Sequence, residues 1–183
     1  MNKTVVFALV MISMLLSGCF SSAPVKSSSS GIVSSRVTGK VIKEDVFKKG
    51  GTLVILPFKA GVNAVASPQL DRVTLMIVKG AVDYLAEQKT PFKVLTTEDQ
   101  GSPQLVIEGY VDDLSHSGKM SRMAMRPKTT TLSVNGQMVI SGTHDRVLIF
   151  QQTKSIPDPK RDGLDIAYQT GQDLGRFIVD ALE

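Results

Sequence analysis

The chain has 183 residues, of which 42% are hydrophobic and 21% are charged, the composition of one globular domain with an appendage. The net charge of +4 is too small for the basic surface that nucleic-acid binding requires, so no nucleic-acid partner is expected. Cys19 is the single cysteine, which excludes an intrachain disulfide framework and calls for another role.

The first eighteen residues are typical of a signal peptide. Lys3 supplies a positive charge, and residues 5–16 (VVFALVMISMLL) form an apolar stretch of twelve residues. A helix of that length covers about 18 Å, which is too short for a hydrocarbon core of about 30 Å. Residues 15–19 (LLSGC) resemble the lipobox of bacterial lipoproteins, which are cleaved just before a cysteine that carries a diacylglycerol.

This resemblance implies that Cys19 is lipidated and becomes the N-terminus of a membrane-anchored protein. Several acyl chains bury many methylene groups, each contributing about 0.8 kcal/mol, so the attachment would be effectively permanent. In enteric-type bacteria, Asp after the lipidated cysteine retains a lipoprotein at the inner membrane. Here the next residue is Phe20, which favours the periplasmic face of the outer membrane.

Residues 20–31 (FSSAPVKSSSSG) are rich in serine and poor in apolar residues, which is typical of a flexible tether. Residues 36–47 (RVTGKVIKEDVF) contain enough Val and Ile to form an edge strand, or an arm that pairs with a neighbouring subunit. The predicted organisation is a signal peptide over residues 1–18, a lipidated N-terminus and tether over 19–51, and a globular α/β domain over 52–183.

The domain is predicted to begin with a strand, a helix and a second strand. Residues 52–58 (TLVILPF) are continuously apolar, as in a strand covered on both faces. Ser67 is a suitable N-cap, Pro68 fits the first helical position, and the helix is expected to continue to about Gln88. Residues 92–96 (FKVLT) form the second strand. The apolar stripe of the helix comprises Leu70, Val73, Ile77, Ala81 and Tyr84.

Three further strands and a helix complete the prediction. Residues 104–114 and 131–141 alternate in polarity, and the second of these strands has one wet face. A hairpin loop leads into residues 146–153. The final helix has an apolar face formed by Leu164, Ala167, Leu174, Ile178 and Ala181. The predicted fold is therefore α/β (α+β), a mixed sheet of about five strands with two main helices, ordered strand-helix-strand-strand-strand-strand-helix.

The sequence predicts no catalytic residue, metal site or cofactor. His116 and His144 lack the spacing of metal ligands and are expected to face solvent in loops. Glu108 and Asp112 would lie about 13 Å apart on one strand face, beyond the separations that glycosidases use, and Asp113 would point to the opposite face. No nucleophile elbow, dinucleotide fingerprint or Walker pattern occurs in the sequence.

The segment 115–128 (SHSGKMSRMAMRPK) is unusual because it combines closely spaced methionines with four basic residues and no acidic ones. Three interpretations remain open. The segment is an ordinary mobile loop, a hairpin that touches a partner or a membrane, or a Cu(I) site built from thioethers. Basic neighbours disfavour copper because they repel a cation. The candidate contact residues are Lys119, Met120, Arg122, Met123, Met125 and Arg126.

The order of an LPF strand, a helix, an FKVL strand, the strand LVIEGYVDDL and a hairpin from LSVNG resembles a broad group of envelope lipoproteins. This group includes the curli secretion channel lipoprotein, lipoprotein activators of penicillin-binding proteins, an exopolysaccharide-export lipoprotein and the N-terminal domain of the Tol translocation protein. The resemblance covers roughly residues 52–183. It implies a compact α/β domain that assembles into rings or docks on partners, and it transfers no catalytic residues.

The leading hypothesis is a non-enzymatic outer-membrane lipoprotein that serves as an assembly or scaffold subunit of an envelope complex. Such a complex would be a secretion, polysaccharide-export or flagellar ring, including a homo-oligomeric one. A second hypothesis is a lipoprotein that reaches across the periplasm on its tether to regulate a peptidoglycan synthase. A third is a periplasmic copper or ligand carrier that uses the methionine-rich segment.

Overall fold

Seven strands and three helices make up the part of the chain that the structure, a computed structural model, describes: residues 36–95, 102–117, 129–158, 160 and 162–183. The helices are α1 (Glu44–Lys49), α2 (Pro68–Glu87) and α3 (Leu164–Asp180). The strands are β1 (Thr38–Val41), β2 (Gly51–Ile55), β3 (Lys59–Ala60), β4 (Phe92–Val94), β5 (Leu105–Ser117), β6 (Thr129–Ile140) and β7 (Arg146–Pro157).

All seven strands belong to one mixed sheet in the order β1-β7-β6-β5-β2-β4, with β3 also pairing with β5. The strands β2, β3 and β4 run parallel to their neighbours, whereas β5, β6, β7 and β1 form successive antiparallel pairs. The predicted mixed α/β class is confirmed. The short strands β1 and β3 raise the number of strands from about five to seven.

The two long helices pack together on the face of the sheet to which Ile107, Leu132 and Leu148 contribute fully buried side chains. Their backbones approach closely at two glycines. A Cβ atom built on Gly171 of α3 would lie 2.1 Å from the Ile77 carbonyl oxygen of α2, and one built on Gly80 would lie 2.1 Å from the Tyr168 carbonyl oxygen. Side chains larger than hydrogen therefore do not fit at this helix crossing without separating the helices.

The helix α2 begins as predicted. The Leu70 backbone N–H donates to the Ser67 hydroxyl at 3.2 Å, and Pro68 occupies the first turn, where its missing N–H carries no penalty. The helix ends at Glu87, one residue before the predicted end. Of the predicted stripe, Tyr84 is only half-buried, and the neighbouring Leu85 takes the buried position.

The helix α3 buries a broader face than the apolar residues alone indicate. Ala167, Leu174 and Ile178 are buried as predicted, whereas Leu164 and Ala181 at the two ends are half-buried. The additional buried positions are the apolar Ile166 and three small or polar residues, whose short side chains let α3 approach α2. They are Ile166, Thr170, Gly171 and Gly175.

The region before Thr52 is folded from β1 onward. Thr38–Val41 pairs antiparallel with β7, which confirms the edge strand that the sequence allowed. The short helix α1 places Phe47 fully inside the core, with its ring 5.4 Å from that of Phe92. The folded part therefore begins before Thr52, the start that the sequence predicted.

The strands deviate from the predicted bounds at the centre and at one end of the sheet. The predicted strand 52–58 is interrupted after Ile55 and resumes at Lys59. The strand β5 continues to Ser117, and β7 continues to Pro157, so the antiparallel strands are longer than predicted. None of the helices in the described part of the chain is long and apolar enough to cross a bilayer.

Candidate functional site

The candidate residues that the sequence singles out lie outside the described residues. The structure describes both ends of the segment 118–128, because Ser117 of β5 and Thr129 of β6 are register partners. This segment therefore leaves and re-enters the sheet at one place, which we call the hairpin end. The candidate residues without a described position are Cys19, Lys119, Met120, Arg122, Met123, Met125 and Arg126.

The face of the sheet opposite the long helices, which we call the open face, is polar and is organised by cross-strand hydrogen bonds. The hydroxyls of Thr131 and Ser155 lie 2.7 Å apart, and those of Ser133 and Thr153 lie 2.9 Å apart. This pattern confirms the wet face that alternation in β6 predicted. The paired hydroxyls form a fixed array of donors and acceptors that is suited to contact with another polar surface.

Two neighbouring grooves cross the open face and share Thr38 and Gln151. The larger has a volume of about 440 Å³ and is lined by Arg36 and Asp112 among others. The smaller, of about 350 Å³, includes Asn135 in its lining. Both grooves are therefore centred on the pairing of β1 with β7, where the first described residues of the chain join the sheet.

The carboxylates of β5 are held by amides of β6. The Gln137 amide donates to Glu108 Oε1 at 2.8 Å, and the Asn135 amide donates to Asp112 Oδ2. A register shift between Val111 and Asp113 places Asp113 opposite Ser133, on the open face. The predicted opposite orientation of Asp113 is therefore wrong, because one residue inserted by a bulge reverses the alternation of every later side chain.

Among the described residues, no group of three or more His, Cys, Asp or Glu side chains is arranged to hold a metal ion.

His116 belongs to a hydrogen-bonded chain at the hairpin end, so the prediction that it faces solvent in a loop is wrong. Its Nδ1 lies 2.7 Å from the Thr130 hydroxyl, which in turn donates to Asp158 Oδ2 at 2.7 Å. Since that hydroxyl donates to Asp158, it accepts from Nδ1–H, and the imidazole Nε2 accepts from the Gln69 amide at 3.3 Å. The Gly163 N–H also donates to Asp158.

This chain of hydrogen bonds connects β5, β6, the start of α2 and the loop that precedes α3. Thr130 is fully buried and Asp158 is 7% exposed, so the polar groups need these partners to offset their loss of water. The bonds fix the base of the segment 118–128. His144, in contrast, lies exposed in the β6–β7 loop as predicted.

A buried ion pair joins β7 to α3. The Lys154 ammonium lies 2.7 Å from Asp173 Oδ2, and the Lys154 side chain is only 6% exposed. The Gln152 amide donates to the same oxygen at 2.8 Å. This pair was not predicted from the sequence, because the predicted strand ended at residue 153 and the partner lies in another element.

A second charged cluster lies between α2 and α3. The Lys79 ammonium is 2.6 Å from Asp83 Oδ2, and the Tyr168 hydroxyl donates to the same oxygen at 3.0 Å. The hydrogen bond from Lys79 lowers the pKa of Asp83 below its usual value. The hydrogen bond to Asp83 raises the pKa of Tyr168 above its usual value of 10.0, because the bond favours the protonated phenol.

Comparison with known proteins finds several solved structures that are similar to this chain at low sequence identity. No protein-family model and no curated protein matches the sequence. The PelC dodecamer from Paraburkholderia phytofirmans is 8% identical, with a TM-score of 0.48 over 81% of this chain and 96% of that one. Lipoprotein GNA1162 from Neisseria meningitidis is 10% identical, with a TM-score of 0.44 over 67% and 96%.

The hypothetical protein CT253 from Chlamydia trachomatis is also 10% identical, with a TM-score of 0.41 over 72% of this chain and 94% of that one. All three TM-scores are below 0.5. The similarities therefore assign neither a family nor a function to this chain.

Proposed function

We propose that this chain is an outer-membrane lipoprotein, anchored on the periplasmic face through Cys19, whose folded part is a non-enzymatic scaffold subunit of an envelope complex. The anchor is supported by residues 15–19 (LLSGC), which follow an apolar stretch too short to span a bilayer. The single cysteine of the chain stands at the position that lipidation requires.

The observation that carries the scaffold role is that the two faces of the sheet differ in what covers them. Two long helices cover one face, whereas the other face presents ordered hydroxyl and amide groups across β5, β6 and β7. Polar surfaces with fixed donors and acceptors suit association with another protein, where direct and water-mediated hydrogen bonds replace those to solvent. The edge strand β1 borders this face and extends the surface available to a partner.

The anchor is tested by replacing Cys19 with serine in the producing bacterium. We expect the C19S chain to leave the membrane fraction, and mass spectrometry of the unchanged chain to show a diacylated N-terminal cysteine. A Ser21→Ala chain, altered two residues away, should remain in the membrane fraction. Sedimentation of the C19S chain with the envelope, or an unmodified Cys19 thiol, would overturn the anchor.

The scaffold role is tested by thiol crosslinking in cells. With Cys19 acylated, a cysteine introduced at Gln151 is the only free thiol and reports on the open face. We expect Gln151→Cys to form a discrete crosslinked species with a second copy or another envelope protein. Leu75→Cys, on the exposed side of α2, is the matched control and should form none. Equal crosslinking at both positions, or none at either, would contradict an assembly role for the open face.

A further inference from the structure

Two valines in the loop between β3 and α2 are far more exposed than any other large apolar side chain in the described part of the chain. Val62 is 96% exposed and Val65 is 83% exposed, whereas the next, Leu75, is 56% exposed. Isolated exposed apolar residues are common, but these two side chains lie three residues apart on one loop. No charged residue occurs from Gly61 to Leu70.

The loop that carries these valines is held at both ends. The Gly61 N–H donates to the Val111 carbonyl of β5 at 2.8 Å, and Ser67 caps α2 at the other end. Between the valines, Ala64 packs against the core. The loop is therefore fixed to the domain while Val62 and Val65 point away from it.

The loop lies toward the same end of the sheet as the entry of the chain from Cys19. Across the sheet, Thr38 of β1 is in register with Gln151, Asn135 and Tyr110. Gly61, where the chain leaves β3, donates its N–H to the residue that follows Tyr110. Four strand spacings of about 4.8 Å separate these two edges, so the entry and the loop lie about 19 Å apart. At the far end of the loop, Gln69 contacts His116 at the hairpin end.

We propose that Val62 and Val65 insert into the interfacial region of the bilayer to which the chain is anchored, so that the domain stands with its hairpin end toward the lipid. This inference rests on the proposed anchor at Cys19. Sixteen residues lie between Cys19 and Arg36, a span of at most about 60 Å, so the anchored domain is confined near the bilayer.

Burying one valine side chain strengthens partitioning by about tenfold, which is too weak for a free domain to bind lipid. Tethering supplies the high local concentration that makes such weak contacts effective. The lipid surface is favoured over a protein partner because the chain from Cys19 enters the sheet at this end, which keeps the proposed anchoring bilayer within reach of the loop.

The test uses the absence of tryptophan from the sequence. The chain from Cys19 onward is coupled through its single thiol to vesicles that contain maleimide lipid, with Val62→Trp or Val65→Trp as the reporter. Gly142→Trp is the control, because it lies in the β6–β7 loop at the opposite end of the sheet and a Cβ atom there meets nothing within 4 Å. Each variant is first checked for an unchanged melting temperature.

We expect tryptophan at position 62 or 65 to shift its emission to shorter wavelength on coupling and to be quenched by brominated lipid, whereas position 142 shows neither effect. Replacing the remaining valine with aspartate should then weaken the quenching. No shift at 62 and 65 would overturn the inference in favour of a protein contact, and equal shifts at 142 would overturn the orientation. Chemical coupling fixes the tether in every case, so these outcomes are independent of whether cells lipidate Cys19.

Discussion

At the scale of single residues, the ion pair between Lys154 and Asp173 is notable in the described part of the domain because the lysine is buried. The Lys154 side chain is only 6% exposed, and its ammonium group is compensated by one carboxylate oxygen of Asp173 at 2.7 Å. Burial of such a pair adds little net stability, but removal of one partner leaves a desolvated charge. The contact therefore fixes how α3 docks on β7.

We predict that Asp173→Asn lowers the free energy of unfolding by about 3 kcal/mol at neutral pH, because it leaves Lys154 uncompensated. The double variant Lys154→Met/Asp173→Leu should lose much less, since it removes both charges and retains side-chain volume. Urea denaturation followed by circular dichroism measures both values. If the Asp173→Asn chain were as stable as the unchanged chain, this would show that water reaches the Lys154 ammonium.

The contact between Tyr168 and Asp83 predicts a defined pH response. The hydrogen bond to Asp83 raises the pKa of Tyr168, so its contribution to stability is complete below pH 10 and is lost as the pH rises through the raised pKa. We expect Asp83→Asn to lower the pKa of Tyr168 toward its usual value. Ultraviolet titration of the three tyrosines, with Tyr168→Phe to assign the signal, measures this shift. An unchanged titration curve in the D83N chain would contradict the contact.

At the scale of elements, the crossing of α2 and α3 depends on glycine rather than on large apolar side chains. The backbone of α2 lies where a Cβ atom of Gly171 would be, with both the Ile77 carbonyl and the Ala81 amide within 2.8 Å of that position. Neither atom can move without shifting the helix. The contact is therefore sensitive to a single added methyl group.

We predict that Gly171→Ala destabilises the domain by about 1–3 kcal/mol, although alanine is the better helix former, because the added methyl group separates the helices. Asp180→Ala, at an exposed position of the same helix, is the control and should change stability by less than about 0.5 kcal/mol. Thermal unfolding compares the two variants. A stabilised G171A chain would mean that the helices cross at a greater distance.

The elements that the sequence predicted best are those with local signals. Ser67 and Pro68 mark the start of α2 by chemistry that needs no distant partner, and the alternation of β6 shows which side is wet. The bulge after Val111 escaped prediction because it depends on pairing with β6. Lys154 and His116 escaped for the same reason. The partner of Lys154 lies in α3, and the partners of His116 lie in β6 and at the start of α2.

At the scale of the whole molecule, the domain begins earlier than composition suggests. Residues 36–50 contribute the edge strand β1 and the fully buried Phe47. Charged and serine-rich neighbours mask these contributions in the sequence. The predicted roles of Cys19 and of the segment from Lys119 to Arg126 lie outside the described residues and stay predictions.

We predict that a chain starting at Arg36 unfolds cooperatively, whereas a chain starting at Gly51 is destabilised by about 3–5 kcal/mol or does not fold, because it loses Phe47 from the core. Urea titration of the two chains provides the comparison. A third chain that starts at Arg36 and carries Phe47→Ala separates the contribution of the side chain from that of β1. Equal stability of the chains starting at Arg36 and Gly51 would show that β1 and α1 are dispensable.

The pairing of β1 with β7 also determines when the domain can be completed during synthesis. Thr38 and Gln151 are 113 residues apart in sequence, so the first strand has no partner until nearly the entire chain has left the ribosome. Loops of this length close slowly, because their entropic cost precedes any stabilising contact. The edge of the sheet is therefore closed only after β7 has been synthesised, which makes this pairing one of the last steps in the folding of the domain.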